Sequence, residues 1–179
     1  MINEAYRNSM EETLAYFLTW TTYGSWLPGD ERNWVDKRGE LRLPDFKCQN
    51  AARERMTEHA LTFEIKQRLI VEDTIAEHCR IRHWQLYAVA ARNQHIHVVV
   101  SAVGRTPDDV MSQFKAWCTR KLKDHERTSG AKVVRKNWWT QRGSKRWLNN
   151  TKSIKAAVRY VLEEQGEPTP RSQKGNSQA

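Results

Sequence analysis

The sequence predicts an α+β fold: a ferredoxin-like βαββαβ antiparallel sheet with helices on one face, followed by one further helix. Three observations lead there. Segments rich in aromatic and β-branched residues alternate with segments of helical periodicity in the order β-α-β-β-α-β-α. The two middle strands are only a few residues apart, the spacing of a hairpin. A chain of 179 residues, 39% apolar and 28% charged, is long enough for one domain with its own core.

The elements follow in order. Residues 1–13 are polar and read as a loose lead-in. Ala15-Tyr16-Phe17-Leu18-Thr19-Trp20-Thr21-Thr22 is a first strand, running into the turn-rich Tyr23-Gly24-Ser25-Trp26-Leu27-Pro28-Gly29-Asp30 and a long irregular loop to about Cys48. Residues 50–79 carry a helical pattern through Leu61, Ile65, Leu69 and Ile75, with a break expected near residues 71–73. Residues 84–90 and 95–101 form the hairpin, turning at Arg92-Asn93. Thr106-Pro107-Asp108-Asp109 joins a hydroxyl cap, a first-position proline and first-turn acids, so a helix starts there and runs to about Lys123. A strand is expected over residues 133–140, then a glycine turn at Arg142-Gly143-Ser144, then a last helix from about Thr151 to Gln165 closed by Gly166. Residues 167–179, small or polar with two prolines, read as a disordered tail.

Composition narrows the function. No apolar run reaches the roughly 20 residues that span a bilayer, so no membrane partner is expected. Met1-Ile2-Asn3-Glu4 lacks the basic-then-apolar pattern of a secretory signal. Cys48, Cys79 and Cys118 are odd in number and show no CxxC spacing, which disfavours a disulfide framework or cysteine zinc site and makes the reducing cytoplasm the default. The formal charge of +9 points to polyanionic partners, and tryptophans standing among arginines and lysines sharpen that toward nucleic acid.

Side chains alternate across a strand, so His95 and His97 share one face while Ile96, Val98 and Val100 share the other. The apolar face can bury against helices, leaving two imidazoles able to bind one divalent cation through neutral nitrogens. On the last helix, Ile154, Ala157, Val158, Val161 and Leu162 make an apolar stripe with Tyr160 at its side. Glu164 lies about 40° around the helix from Tyr160, whereas Gln165 lies about 140° away. Tyr160 and Glu164 can therefore enter one site. A phenol with a pKa near 10 is a poor nucleophile at neutral pH, but attack on a phosphodiester becomes feasible beside a cation held by two histidines and a carboxylate. The product would be a 5′-phosphotyrosine link and a free 3′-hydroxyl able to reverse it.

Asn93-Gln94-His95-Ile96-His97 resembles the histidine–hydrophobic–histidine signature of HUH endonucleases, and the single-tyrosine helix resembles that of the one-tyrosine transposases. The chain is most similar to the REP-associated tyrosine transposases. Thr21-Thr22-Tyr23-Gly24-Ser25-Trp26-Leu27-Pro28-Gly29-Asp30, Trp139-Thr140-Gln141-Arg142-Gly143-Ser144-Lys145-Arg146-Trp147-Leu148 and Tyr160-Val161-Leu162-Glu163-Glu164-Gln165 carry that likeness over residues 15–167. The resemblance implies a catalytic domain at residues 14–166, magnesium or manganese as cofactor, and cleavage and joining of single-stranded DNA near hairpin-forming repeats. The alternative is a catalytically inactive DNA-binding regulator of the same fold. The family usually places asparagine or glutamine four residues after the tyrosine; here that residue is Glu164, and helical geometry favours it over Gln165 as third ligand.

Single-stranded DNA is held by backbone charge and base stacking, which nominates Arg142, Lys145, Arg146 and Trp147, with Trp138 and Trp139 divided between core and surface by strand alternation. The loop with Trp26, Arg32 and Trp34 is either a second DNA surface or a cap over a sheet edge. Lys115, Arg120, Lys121 and Lys123 read as the solvated side of a helix, and Tyr87 as a strand aromatic. The sequence leaves open monomer or homodimer.

Overall fold

The computed structural model describes residues 14–36 and 38–163. The expected lead-in at residues 1–13, the polar tail, and Glu164, Gln165 and Gly166 lie outside the described residues. The elements are β1 (Ala15–Thr21), β2 (Trp34–Val35), β3 (Leu41–Arg42), α1 (Phe46–Glu54), α2 (Ile65–Arg82), β4 (Gln85–Ala91), β5 (His95–Ser101), α3 (Pro107–Thr128), β6 (Ser144–Leu148) and α4 (Thr151–Glu163).

Four strands form one sheet in the order β4-β5-β1-β6, every neighbouring pair antiparallel, as the ferredoxin-like plan requires. Tyr16, Leu18 and Trp20 of β1 and Ile96, Val98 and Val100 of β5 face α2 and α3, where they bury Val71, Ile75, Phe114, Cys118 and Leu122 in the main core. The other face carries a smaller core. There α4 lays Ile154, Ala157 and Val161 on Ala15, Ala88, Ala90, Val99 and Leu148. Tyr87 marks a shift of register between β4 and β5 and is exposed. Among the described residues no helix is long and apolar enough to cross a membrane.

Local chemistry explains the boundaries. The Thr106 hydroxyl accepts the Asp109 amide at 3.1 Å and Pro107 opens α3, as expected. The helix expected over residues 50–79 is two helices, and its break falls at residues 55–64 rather than 71–73. Asp45 caps α1 through the Cys48 amide, and α2 starts afresh where the Gln67 side chain accepts the Glu64 amide. Val71, Ile75 and Cys79 are fully covered, so the expected break lies in the best-packed stretch of α2.

The last strand is also displaced. Residues 133–140 make only an isolated bridge, Thr22 to Trp139, and the strand is Ser144–Leu148. Trp138 is buried and Trp139 packs against the same core, so two successive side chains turn inward, which strand alternation forbids. Polar groups hold this loop: the Glu58 carboxylate accepts the Lys136 and Asn137 amides at 2.9 and 2.7 Å. Gly143 enters β6 rather than a turn. A Cβ there would stand 2.6 Å from the Thr19 carbonyl oxygen, so only glycine lets the chain approach β1 this closely.

Lys115 is not on the solvated side of α3. Its Nζ donates to the carbonyls of Thr140, Gln141 and Arg142 at 2.8, 3.4 and 3.1 Å, tying α3 to the segment that leads into β6. Burial, with the charge of Lys145 adding to it, lowers the ammonium to about 8. Replacing Lys115 with Met leaves three carbonyls to find new partners and is expected to cost about 1–3 kcal/mol in denaturant unfolding. The unfolded chain keeps this proton to about 10.5 while the folded one releases it near 8. Lys115 therefore makes stability rise with pH across that window. The difference between wild type and Lys115→Met should follow this slope, and a flat difference would remove the desolvated ammonium from the account.

Candidate active site

The pairing of β1 with β5 sets Thr19 beside His97 and Thr21 beside His95, on the face that α4 covers. The two imidazole centroids are 4.8 Å apart. His97 is buried and His95 half-buried. The Thr19 hydroxyl lies 2.8 Å from His97 Nδ1, which fixes the plane of the ring. Phe17, two residues back on the same face, stacks on His97 at 5.6 Å.

Tyr160 reaches this cluster from α4. Its ring meets His97 edge-on at 5.8 Å and Phe17 edge-on at 5.9 Å, and it remains 38% exposed, so a ligand can reach the phenol. Small residues make the approach possible: Ala88, Ala90 and Ala157 allow the helix to lie close to the sheet. Arg92 adds a polar tie, its guanidinium donating to the Val161 carbonyl at 3.4 Å. Burial pulls the pKa of Arg92 down, and the buried Glu72 carboxylate opposes that pull. Glu72 in turn accepts the Ala91 amide at 2.9 Å, so the end of β4 is anchored to α2.

Thr19, Phe17 and Arg92 are absent from the sequence-derived site. Alternation in β1 groups Phe17, Thr19 and Thr21 on one face, but only the register with β5 shows that this is the histidine face. An arginine in a hairpin turn carries no sequence signal of burial. Among the described residues no group of three His, Cys, Asp or Glu side chains is placed to hold a metal. Both residues weighed as third ligand, Glu164 and Gln165, lie outside the described residues.

The nominated DNA-facing residues separate. Arg146 pairs with Phe17 and lies on the histidine face, its guanidinium carbon 5.1 Å from the Phe17 ring centroid. Lys145 and Trp147 pair with Leu18 and Tyr16 and so belong to the opposite face. There Lys145 bonds Asp108 at 2.6 Å, and Trp147 packs edge-on against Tyr16. Arg142 donates to the Asp36 carbonyl at 3.0 Å. In the long loop Arg32 forks onto Asp30, holding that carboxyl below the usual range, and covers Trp26 at 4.8 Å. Trp34 donates to the Leu43 carbonyl.

The domain is an α+β fold in which one central strand, β5, presents neighbouring histidines to a tyrosine on an adjoining helix. The chain belongs to the IS200-like transposase family, whose family model matches residues 50–164, more than half its length. No curated protein matches the chain. Among solved structures it is similar to a REP-associated tyrosine transposase bound to a REP hairpin, at 13% identity and a TM-score of 0.45, over 84% of this chain and 65% of that one. The chain thus spans slightly less than two thirds of that protein. It is also similar to a structure from Deinococcus radiodurans R1 designated a transposase, at 14% identity and a TM-score of 0.41, over 86% of this chain and 91% of that one.

Thr19→Val keeps the shape of the side chain and removes the bond to His97. We expect a loss of about 0.5–1.5 kcal/mol in stability and a changed ¹⁵N signature of the His97 ring. An unaltered ring spectrum would show that Thr19 does not orient it.

Proposed function

We propose that this chain is a single-stranded DNA nickase and strand transferase of the transposase type, acting near hairpin-forming repeat DNA with Tyr160 as nucleophile. The carrying observation is the position of Tyr160, its ring 5.8 Å from His97 and reachable from solvent. The Tyr160 oxygen would attack the scissile phosphorus while the P–O3′ bond breaks. The phenol loses its proton and the departing 3′-oxygen gains one, leaving a 5′-phosphotyrosine. Because the new ester keeps the energy of the old one, the 3′-hydroxyl can attack it and rejoin strands without a further energy source.

Family membership and the donor set both favour a divalent cation, magnesium or manganese. Two imidazoles on one sheet face, one of them oriented by a threonine hydroxyl, suit such an ion through His95 and His97, with Glu164 as the proposed third ligand. When bound, the ion would polarise the scissile phosphate and stabilise charge developing on it. The chain's own residues do the rest: Phe17 and His97 hold the tyrosine ring, and basic side chains meet the DNA backbone.

With manganese and a hairpin-bearing single-stranded oligonucleotide, wild type should form a covalent protein–DNA adduct visible on a denaturing gel. Tyr160→Phe should form none while still binding. His97→Ala and chelation should each reduce the adduct rate by at least about 10²-fold. Binding by wild type without any adduct would favour the non-catalytic regulator, and full activity in EDTA would remove the metal.

A further inference from the structure

The basic residues near β6 have different surroundings, and the differences single one out. Lys115 is engaged by three carbonyls, Lys145 by Asp108, and Arg142 donates to a carbonyl of the loop before β3. Arg146 makes no ion pair among the described residues and is exposed. It also stands on the histidine face, because its partner in the β1–β6 register is Phe17. Phe17 occupies the middle of the cluster: it stacks on His97, meets Tyr160 edge-on, and has the Arg146 guanidinium at 5.1 Å from its centroid.

From this arrangement we propose that Arg146 is a further catalytic residue, donating to non-bridging oxygens of the scissile phosphodiester as Tyr160 attacks; this rests on the tyrosine reading above. A guanidinium offers a planar fork of N–H donors that matches two phosphate oxygens and stays charged at any working pH. Held across the Phe17 ring from His97, it would meet the phosphate from the β6 side, opposite the histidine pair. The aromatic floor limits its freedom without neutralising it. No proton passes through Arg146. Its part is to stabilise charge on the phosphate while the Tyr160–P bond forms and the P–O3′ bond breaks.

The test uses the full chain, manganese and a hairpin oligonucleotide at saturating concentration, reading single-turnover adduct formation. Arg146→Gln should lower that rate by about 10²–10³-fold, while affinity for the oligonucleotide changes less than about tenfold. Arg146→Lys, which keeps the charge but not the fork, should recover part of the rate. Substituting a neutral methylphosphonate at the scissile position should narrow the gap between wild type and Arg146→Gln, because the two changes remove one shared interaction. Arg146→Gln cleaving at the wild-type rate, or an unchanged gap on methylphosphonate, overturns the assignment and leaves Tyr160 standing. Absence of adduct from wild type itself overturns the tyrosine reading and this proposal together.

Discussion

The pairing of β1 with β5 governs both the core and the site. Tyr16, Leu18 and Trp20 meet Val100, Val98 and Ile96, while Phe17, Thr19 and Thr21 meet Val99, His97 and His95. A slip of one residue in β5 would send the histidine pair into the aromatic core and turn Val98 and Val100 out of it. The main core therefore enforces the geometry of the site: burying Trp20, Leu18, Ile96 and Val98 holds Thr19 next to His97. A large apolar gain on one face stabilises a polar constellation on the other.

The two faces differ in how tightly they are packed. Between α2, α3 and the sheet lie Trp20, Phe114, Trp138 and Leu122, bulky groups with stacked and edge-on ring contacts. Under α4 the partners are alanines, Val99 and Leu148. The described part of α4 buries only Ile154, Ala157 and Val161, a thinner apolar contact than α2 and α3 make. The nucleophile candidate thus rides on the weaker layer, and the Arg92 bond to Val161 supplements a thin apolar seam.

The tryptophans show why composition alone misleads about surfaces. Several of the eight stand among arginines and lysines in sequence, the composition of a stacking platform. Trp20 and Trp138 are instead fully buried, and Trp139 spends its indole N–H on Lys115 and Thr119 of α3. A large ring gains more from full burial than from exposure, so proximity to arginine in sequence says little about its side of the molecule.

By itself the sequence determined the order of the four sheet strands, the α3 cap at Thr106, the His95-Ile96-His97 alternation and the apolar stripe that turns Tyr160 to one side of α4. These depend on periodicity and capping, which are local and readable along the chain. Only the tertiary structure decided that Phe17 and Thr19 complete the histidine face, that Arg146 joins it while Lys145 and Trp147 leave it, and that Lys115 is half-buried against three carbonyls. It also moved the last strand to Ser144–Leu148, because two adjacent tryptophans found the core and Gly143 admitted close contact with β1. Strand register and burial are settled by partners distant in sequence, and no single segment carries them.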